Sequence, residues 1–231
     1  MKTLGIIGGI GPESTIEYYR LLVACYRQKK PDGSYPPILI NSIDMAKMLG
    51  LIGVNQLVEV TDYLTGEVNK LARAGADFGL LASNTPHIVF DDIQHRSKIP
   101  LISIVEATCE ATRALAITKV GLFGTRFTMQ GSFYPGVFTK QGIQLVTPEL
   151  QDQELIHDKY MSELVHGVFL DETRQRLLAI IDRLIEQEQI QGLILGGTEL
   201  PLILRDETHH GIPLLDTTKI HVKRAITRML S

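Results

Sequence analysis

The residues from Gly79 read GLLASNTPH, and those from Gly192, 113 positions further on, read GLILGGTEL. In each, an apolar run of strand length stops at small polar residues and glycine. KIPLIS and GIPLLD keep the same spacing, with Ile99-Pro100 and Ile212-Pro213 again 113 apart. LGIIGG and VGLFGT set Gly5 opposite Gly121, 116 apart. Three matches in one order at nearly one spacing point to a duplicated structural unit. Whatever the fold is, it must be one that the chain builds twice.

Short apolar runs alternate with longer stretches of helical period. Strands are expected at Leu4–Ile7, Ile38–Ile43, Phe78–Ala82, Leu101–Ile104, Val120–Phe123, Ile143–Val146, Gly192–Leu195 and Pro213–Leu215. Between the first two lies Ser14–Arg27, where Ile16, Tyr19, Val23 and Tyr26 recur at helical spacing. Strand, helix, strand in repetition predicts an α/β fold with parallel sheets. The expected architecture is two similar α/β domains related by pseudo-two-fold symmetry, with a cleft at the carboxyl ends of their strands. Residues 1–100 plus 217–231 form the first domain and 101–216 the second, the last helix (about Lys219–Leu230) returning to the first.

Composition narrows the class. The 231 residues are 44% hydrophobic and 21% charged, as in ordinary globular proteins. A net charge of −3 with both signs interspersed offers no basic face for nucleic acid. MKTLGIIGGIGPEST is broken by glycines too early for a signal sequence and reads as a first strand. No apolar run approaches the ~18 residues of a membrane span. Cys25 and Cys109 have neither metal-type spacing nor the number for a disulfide scaffold. Reduced thiols and a cytoplasmic location are the expectation.

Four strand-to-helix loops are candidates for chemistry. In GGIGPEST, Gly11 and its neighbours suit an anion held on backbone N–H groups, and Ser14 with Glu17 spells a capping box. A dinucleotide fingerprint would need glycine at Ser14 and an acid nearer than Asp44. In SNTPH, Ser83, Asn84 and Thr85 precede Pro86 as helix-start residues, and His87 reads as a packed or exposed histidine. In GTRFTM, Thr125 and Thr128 either cap a helix or bind a carboxylate. In GGTEL, Gly196 and Gly197 leave a strand end bare, Thr198 follows, and Glu199 complements a helix dipole. His209-His210 stands in a turn-like stretch without partners, so no metal site is expected. Hydroxyls, an amide and helix N-termini suit a small anion such as an amino or dicarboxylic acid.

MKTLGIIGGIGPESTIEYYRLL, SNTPH, GLFGTRFTM, GGTELPLIL and DTTKIH together resemble, in order and along the whole chain, the aspartate/glutamate racemase family. These are cofactor-independent amino-acid racemases. The resemblance implies two domains enclosing a cleft within a homodimer, no cofactor, and a small amino or dicarboxylic acid as ligand. Two thiols in that family, from motifs like Cys-Asn-Thr and Gly-Cys-Thr-Glu, move the Cα proton from one face to the other. Here Ser83 and Gly197 stand in the two thiol positions. The resemblance assigns ligand binding to Gly11, Asn84, Thr85, Thr125, Thr128, Thr198 and Glu199, with Lys47 and His166 adding positive charge. A thiol with a pKa near ~8.5 can be tuned to act as a base, whereas a serine needs an adjacent base and glycine has no group at all. Cys25 and Cys109, each within a helical pattern, read as small buried hydrophobes. Three readings stay open: a racemase with altered catalytic groups, another proton-transfer or decarboxylase-like enzyme on the scaffold, and a binder of small carboxylic acids.

Overall fold

The apolar runs become strands because each is flanked by glycine or turn residues and is too short for a buried helix. The computed structural model describes all 231 residues. The chain divides into two compact units, Met1–Ile104 with His221–Ser231, and Val105–Ile220. No helix is long and apolar enough to cross a membrane.

The first unit runs β1 (Leu4–Gly8), α1 (Pro12–Lys29), β2 (Ile38–Ser42), α2 (Met45–Gly53), α3 (Leu57–Arg73), β3 (Phe78–Leu81), a 3-10 helix (Thr85–Val89), α4 (Phe90–Arg96) and β4 (Leu101–Ile102). Its sheet is parallel throughout, in the order β2-β1-β3-β4. Residues alternate across β1. Leu4 and Ile6 join Phe78, Leu80, Tyr18, Leu22, Val222, Ile226 and Met229 in one buried cluster, while Gly5 faces Leu71 of α3 on the other side. Burying each large apolar side chain contributes about 1.5–3 kcal/mol before entropy is charged against it.

The second unit repeats the design. It contains nearly all of α5 (Ile104–Ala114), then β5 (Lys119–Gly124), α6 (Arg126–Met129), α7 (Phe133–Phe138), β6 (Gln144–Val146), α8 (Leu150–Ser162), α9 (Asp171–Glu188), β7 (Leu193–Gly196), α10 (Leu200–Ile203), β8 (Thr208–His209), β9 (Ile212–Asp216) and the first turn of α11 (Thr217–Leu230), whose remainder belongs to the first unit. The chain passes between units within α5 and again within α11. The sheet order is β6-β5-β7-β9-β8, with only β8 antiparallel. Leu177, Ile180, Ile181 and Leu184 of α9 are buried, and Leu184 packs over Gly121 of β5. The fold is thus the expected pair of similar parallel-sheet α/β units.

Four local readings need correction. The buried face of α1 is Ser14, Tyr18, Leu21, Leu22 and Tyr26, whereas Ile16 and Tyr19 are 62% and 51% exposed. Two polar anchors set that phase: Ser14 Oγ donates to the Ala82 carbonyl (2.8 Å) and Tyr18 OH meets His221 Nδ1 (2.8 Å). β4 ends at Ile102 instead of Ile104, because Ile104 opens α5 and its N–H donates to His87 Nε2 (3.2 Å). Cys109 is buried but Cys25 is only half-buried. His209 and His210 do have a partner: both ring Nε2 atoms meet Asp182 Oδ1 of α9, at 2.6 and 3.4 Å.

Two buried histidines tie α11 and the 3-10 helix into the first unit. The Tyr18 bond fixes His221 Nδ1 as acceptor, since its Nε2 donates to the Ile102 carbonyl (2.9 Å). Burial drives His221 down to about 4, and burial plus the nearby His221 drives His87 down to about 3. Both therefore fold neutral. Their folded values lie below the unfolded value near ~6.5, so the unfolded chain binds more protons below that pH. The stability that they confer is complete above about pH 6.5 and is lost as pH falls toward 4 and 3. Urea melts between about pH 7.5 and 5 should show a loss approaching 2.7 kcal/mol per pH unit if both histidines take up a proton on unfolding. His87→Gln/His221→Gln should flatten that slope, and an unchanged slope would show that other groups carry it.

Candidate active site

In the first unit the candidate residues gather at the carboxyl ends of β1 and β3. Gly9 turns the chain with φ 78°, and a Cβ there would come within 2.4 Å of the Ile43 carbonyl oxygen. Its N–H donates to Thr15 Oγ1 (2.8 Å). Gly11 (φ 85°) is the residue before α1 and gives no side-chain cap. The capping box of Ser14 and Glu17 does not form: Ser14 is committed to Ala82 and Glu17 to Arg20. Helix entry through a positive-φ glycine and Pro12 points Ser14 inward, away from the free N–H groups of the first turn.

Ser83, Asn84 and Thr85 are all buried beyond the end of β3. They do not cap by side chain either. Asn84 already has αR torsions, and its side chain makes no cap bond to the 3-10 helix. His87 is 2% exposed and stacks on Phe90 at 4.9 Å. Because its Nε2 accepts from Ile104, its proton sits on Nδ1, near the Ser83 and Asn84 backbone, which partly offsets the effect of burial. The ring thus has no basic nitrogen left for Ser83. Lys47 is an exposed residue of α2, its ammonium 4.3 Å from the Tyr63 ring centroid. His166 is exposed at the end of the 3-10 helix Leu164–His166.

The second unit presents a different inventory at the ends of β5 and β7. Thr125 caps α6 by accepting from Thr128 N (3.3 Å), and the two hydroxyls lie 3.3 Å apart. Beyond β7 come Gly197, Thr198 and Glu199, with Thr198 and Glu199 each 1% exposed. Glu199 stands at the start of α10, as expected, and is buried there. Its Oε2 accepts from Tyr160 OH and from Thr198 Oγ1 (2.9 Å). Both donors help offset the several kcal/mol that burying a carboxylate costs. Burial first, then the Glu199 charge, holds the Tyr160 phenol well above its ordinary range.

Tyr160 also explains the glycine. A Cβ on Gly197 would fall 2.4 Å from Tyr160 Cε2, 3.0 Å from Cζ and 3.1 Å from the hydroxyl oxygen. The ring of α8 occupies the space that a side chain at this position would need. A cysteine therefore cannot be placed at Gly197 unless Tyr160 moves. Tyr160 is the residue that sequence reasoning missed. It lies 39 positions from Glu199 in an amphipathic helix, and the one available sign was a glycine where a side chain was expected.

Parallel α/β units with polar residues at their strand ends define the class, and comparison with known proteins specifies it. The Asp/Glu/Hydantoin racemase family profile matches residues 7–225, and the chain belongs to that family. It is 26% identical, over 99% of its length and 98% of the relative's, to the broad specificity amino-acid racemase RacX of Bacillus subtilis strain 168. A crystal structure of a candidate Asp/Glu racemase from Yersinia pestis matches with TM-score 0.88 and 33% identity, covering 100% of both chains. An aspartate racemase homologue from Pyrococcus horikoshii OT3 matches with TM-score 0.84 and 32% identity, again over 100% of both.

Overpacking at Gly197 can be measured. Gly197→Ala and Gly197→Cys should each destabilise the protein by about 1–3 kcal/mol. Adding Tyr160→Ala should make the second substitution less costly than it is alone, a coupling of about 1 kcal/mol or more in denaturant melts. Strictly additive values would show that the ring does not fill that space.

Proposed function

We propose that the protein transfers a proton at the Cα of a small acidic amino acid, aspartate- or glutamate-like, without a cofactor and without the family's two thiols. Family membership, with relatives named as an amino-acid racemase and an aspartate racemase homologue, supports the substrate class. The observation that carries the mechanism is the buried Tyr160–Glu199 pair, set where a Gly197 side chain would stand.

Its chemistry is a relay. As the substrate Cα–H bond breaks, its proton passes to the phenol oxygen while the phenol's own proton passes to Glu199 Oε2. The electron pair stays on Cα and spreads into the substrate carboxylate. Phenolate never forms, so the raised phenol value is no obstacle. Return of the proton by the same path restores both groups. Thr198 holds the carboxylate in place. Asn84, Thr85, Thr125 and Thr128, with the Gly11 turn, are the ligand-holding residues of this proposal.

Ser83 favours a second reading. With His87 unable to serve as its base, the acid–base equipment lies in one unit only. One-sided equipment suits protonation of a carbanion from one face, as in a decarboxylase-like reaction, better than inversion.

Proton NMR of Cα–H exchange in D2O, across aspartate, glutamate and a panel of other amino acids, tests both. Exchange should occur with an acidic substrate, and Tyr160→Phe or Glu199→Gln should slow it about 100-fold or more. Chiral analysis should find inversion slower than exchange. No exchange with any amino acid, but turnover of a malonate-type acid, would favour the decarboxylase-like reading. Tight binding by calorimetry with neither reaction would leave a binder of small acids.

A further inference from the structure

The Asp182–His209–His210 cluster takes no part in the proposed proton transfer. His209 ends β8, and His210 (φ 46°) with Gly211 (φ 82°) forms the two-residue turn into β9. Positive φ at both positions is the geometry of a type I′ hairpin, where Asn, Asp or Gly is the usual first residue. A histidine there presents a second imidazole beside the first, the two rings 4.4 Å apart. Asp182 reaches both from α9, with Oδ1 at 2.6 Å from His209 Nε2 and 3.4 Å from His210 Nε2.

We propose that these three side chains form a binding site for a borderline divalent cation of the zinc type. Two imidazoles and a carboxylate are the donor set that such ions take, at about 2.0–2.2 Å from each ligand. Ligand atoms around a tetrahedral ion then lie about 3.3 Å apart. Here the three ligand atoms are within 4.8 Å of one another, so a small rotation of the exposed His210 ring brings them together. His210 is 66% and Asp182 41% exposed, leaving water to fill the remaining coordination. Metal uptake competes with protons for its ligands, so it weakens as pH falls.

The place in the fold indicates what the site is for. β9 runs parallel to β7, and His209 pairs with Ile212 at its first residue. The cluster thus lies at the amino ends of the strands, the opposite end of this sheet from Gly197. Ligand chemistry in open α/β sheets belongs to the carboxyl ends. A cation here clamps the β8–β9 hairpin to α9, a stabilising role separate from proton transfer.

Zinc chloride titrated into the full-length chain at about pH 7.5, followed by calorimetry and thermal melting, tests this. One zinc ion per chain and a raised melting temperature are expected. Asp182→Asn, His209→Ala and His210→Ala should each weaken uptake about tenfold or more and abolish the thermal shift, whereas His95→Ala should change neither. His210 is exposed enough that its replacement leaves the fold intact, which keeps the test valid if His209→Ala unfolds. No uptake below about millimolar zinc, or uptake unchanged in Asp182→Asn and His210→Ala, would overturn the proposal and assign any bound ion to the other histidines.

Discussion

The packing of the Tyr160 ring against the bare Cα of Gly197 governs the end of β7. It sets the residue at 197, since any Cβ would overlap the ring. It also places the phenol where the buried Glu199 needs a donor. Remove the hydroxyl and a buried carboxylate loses one of its donors; add a methyl at 197 and the ring must leave. Gly197, Thr198, Glu199 and Tyr160 thus form one unit of structure. The absence of a side chain at Gly197 makes room for another ionisable group.

The corresponding end of β3 in the first unit is built on other terms. There the neighbouring polar group is His87, and the lone pair of its Nε2 is already taken. Nε2 accepts from Ile104, which leaves the proton on Nδ1, and burial keeps the ring neutral. Ser83 therefore stands at a strand end of the same design with no base beside it. The duplicated backbone gives two equivalent ends, yet only one carries an acid–base pair. That asymmetry is a property of side chains packed behind the loops, which is why the loops alone leave the chemistry undecided.

The strands were readable because short, nearly continuous apolar runs bounded by glycine have few alternatives in a parallel sheet. The repeat was readable for the same reason, since GLLASNT and GLILGGT end matching central strands. What could not be read depends on contacts distant in sequence. Ile16 and Tyr19 look like the apolar face of α1, but Ser14 and Tyr18 face inward because Ala82 and His221 are there to receive them. The capping box failed because Ser14 had a better partner 68 positions away. His209 and His210 lacked partners only until α9 brought Asp182 to them. The candidate residues at the loops were legible by motif, while Tyr160, the group that defines the second end, was not.

Parallel strands force a helix to begin after nearly every strand, and each such start leaves N–H groups and close backbone approaches to satisfy. Much of the small polar character of these loops is accounted for by that need. A Cβ on Gly8 would strike Thr15, and one on Gly124 would strike Thr128, so both threonines pack tightly at equivalent strand ends. Thr125 is occupied in capping and Thr217 donates to the Leu195 carbonyl. Hydroxyls at strand ends are thus a weak sign of catalysis on this fold. A buried carboxylate is a stronger one, because no backbone need explains it and its desolvation must be offset by donors brought from elsewhere. By that criterion the chemistry of this chain is to be sought at Glu199 and Tyr160 before any of the serines and threonines that the loops display.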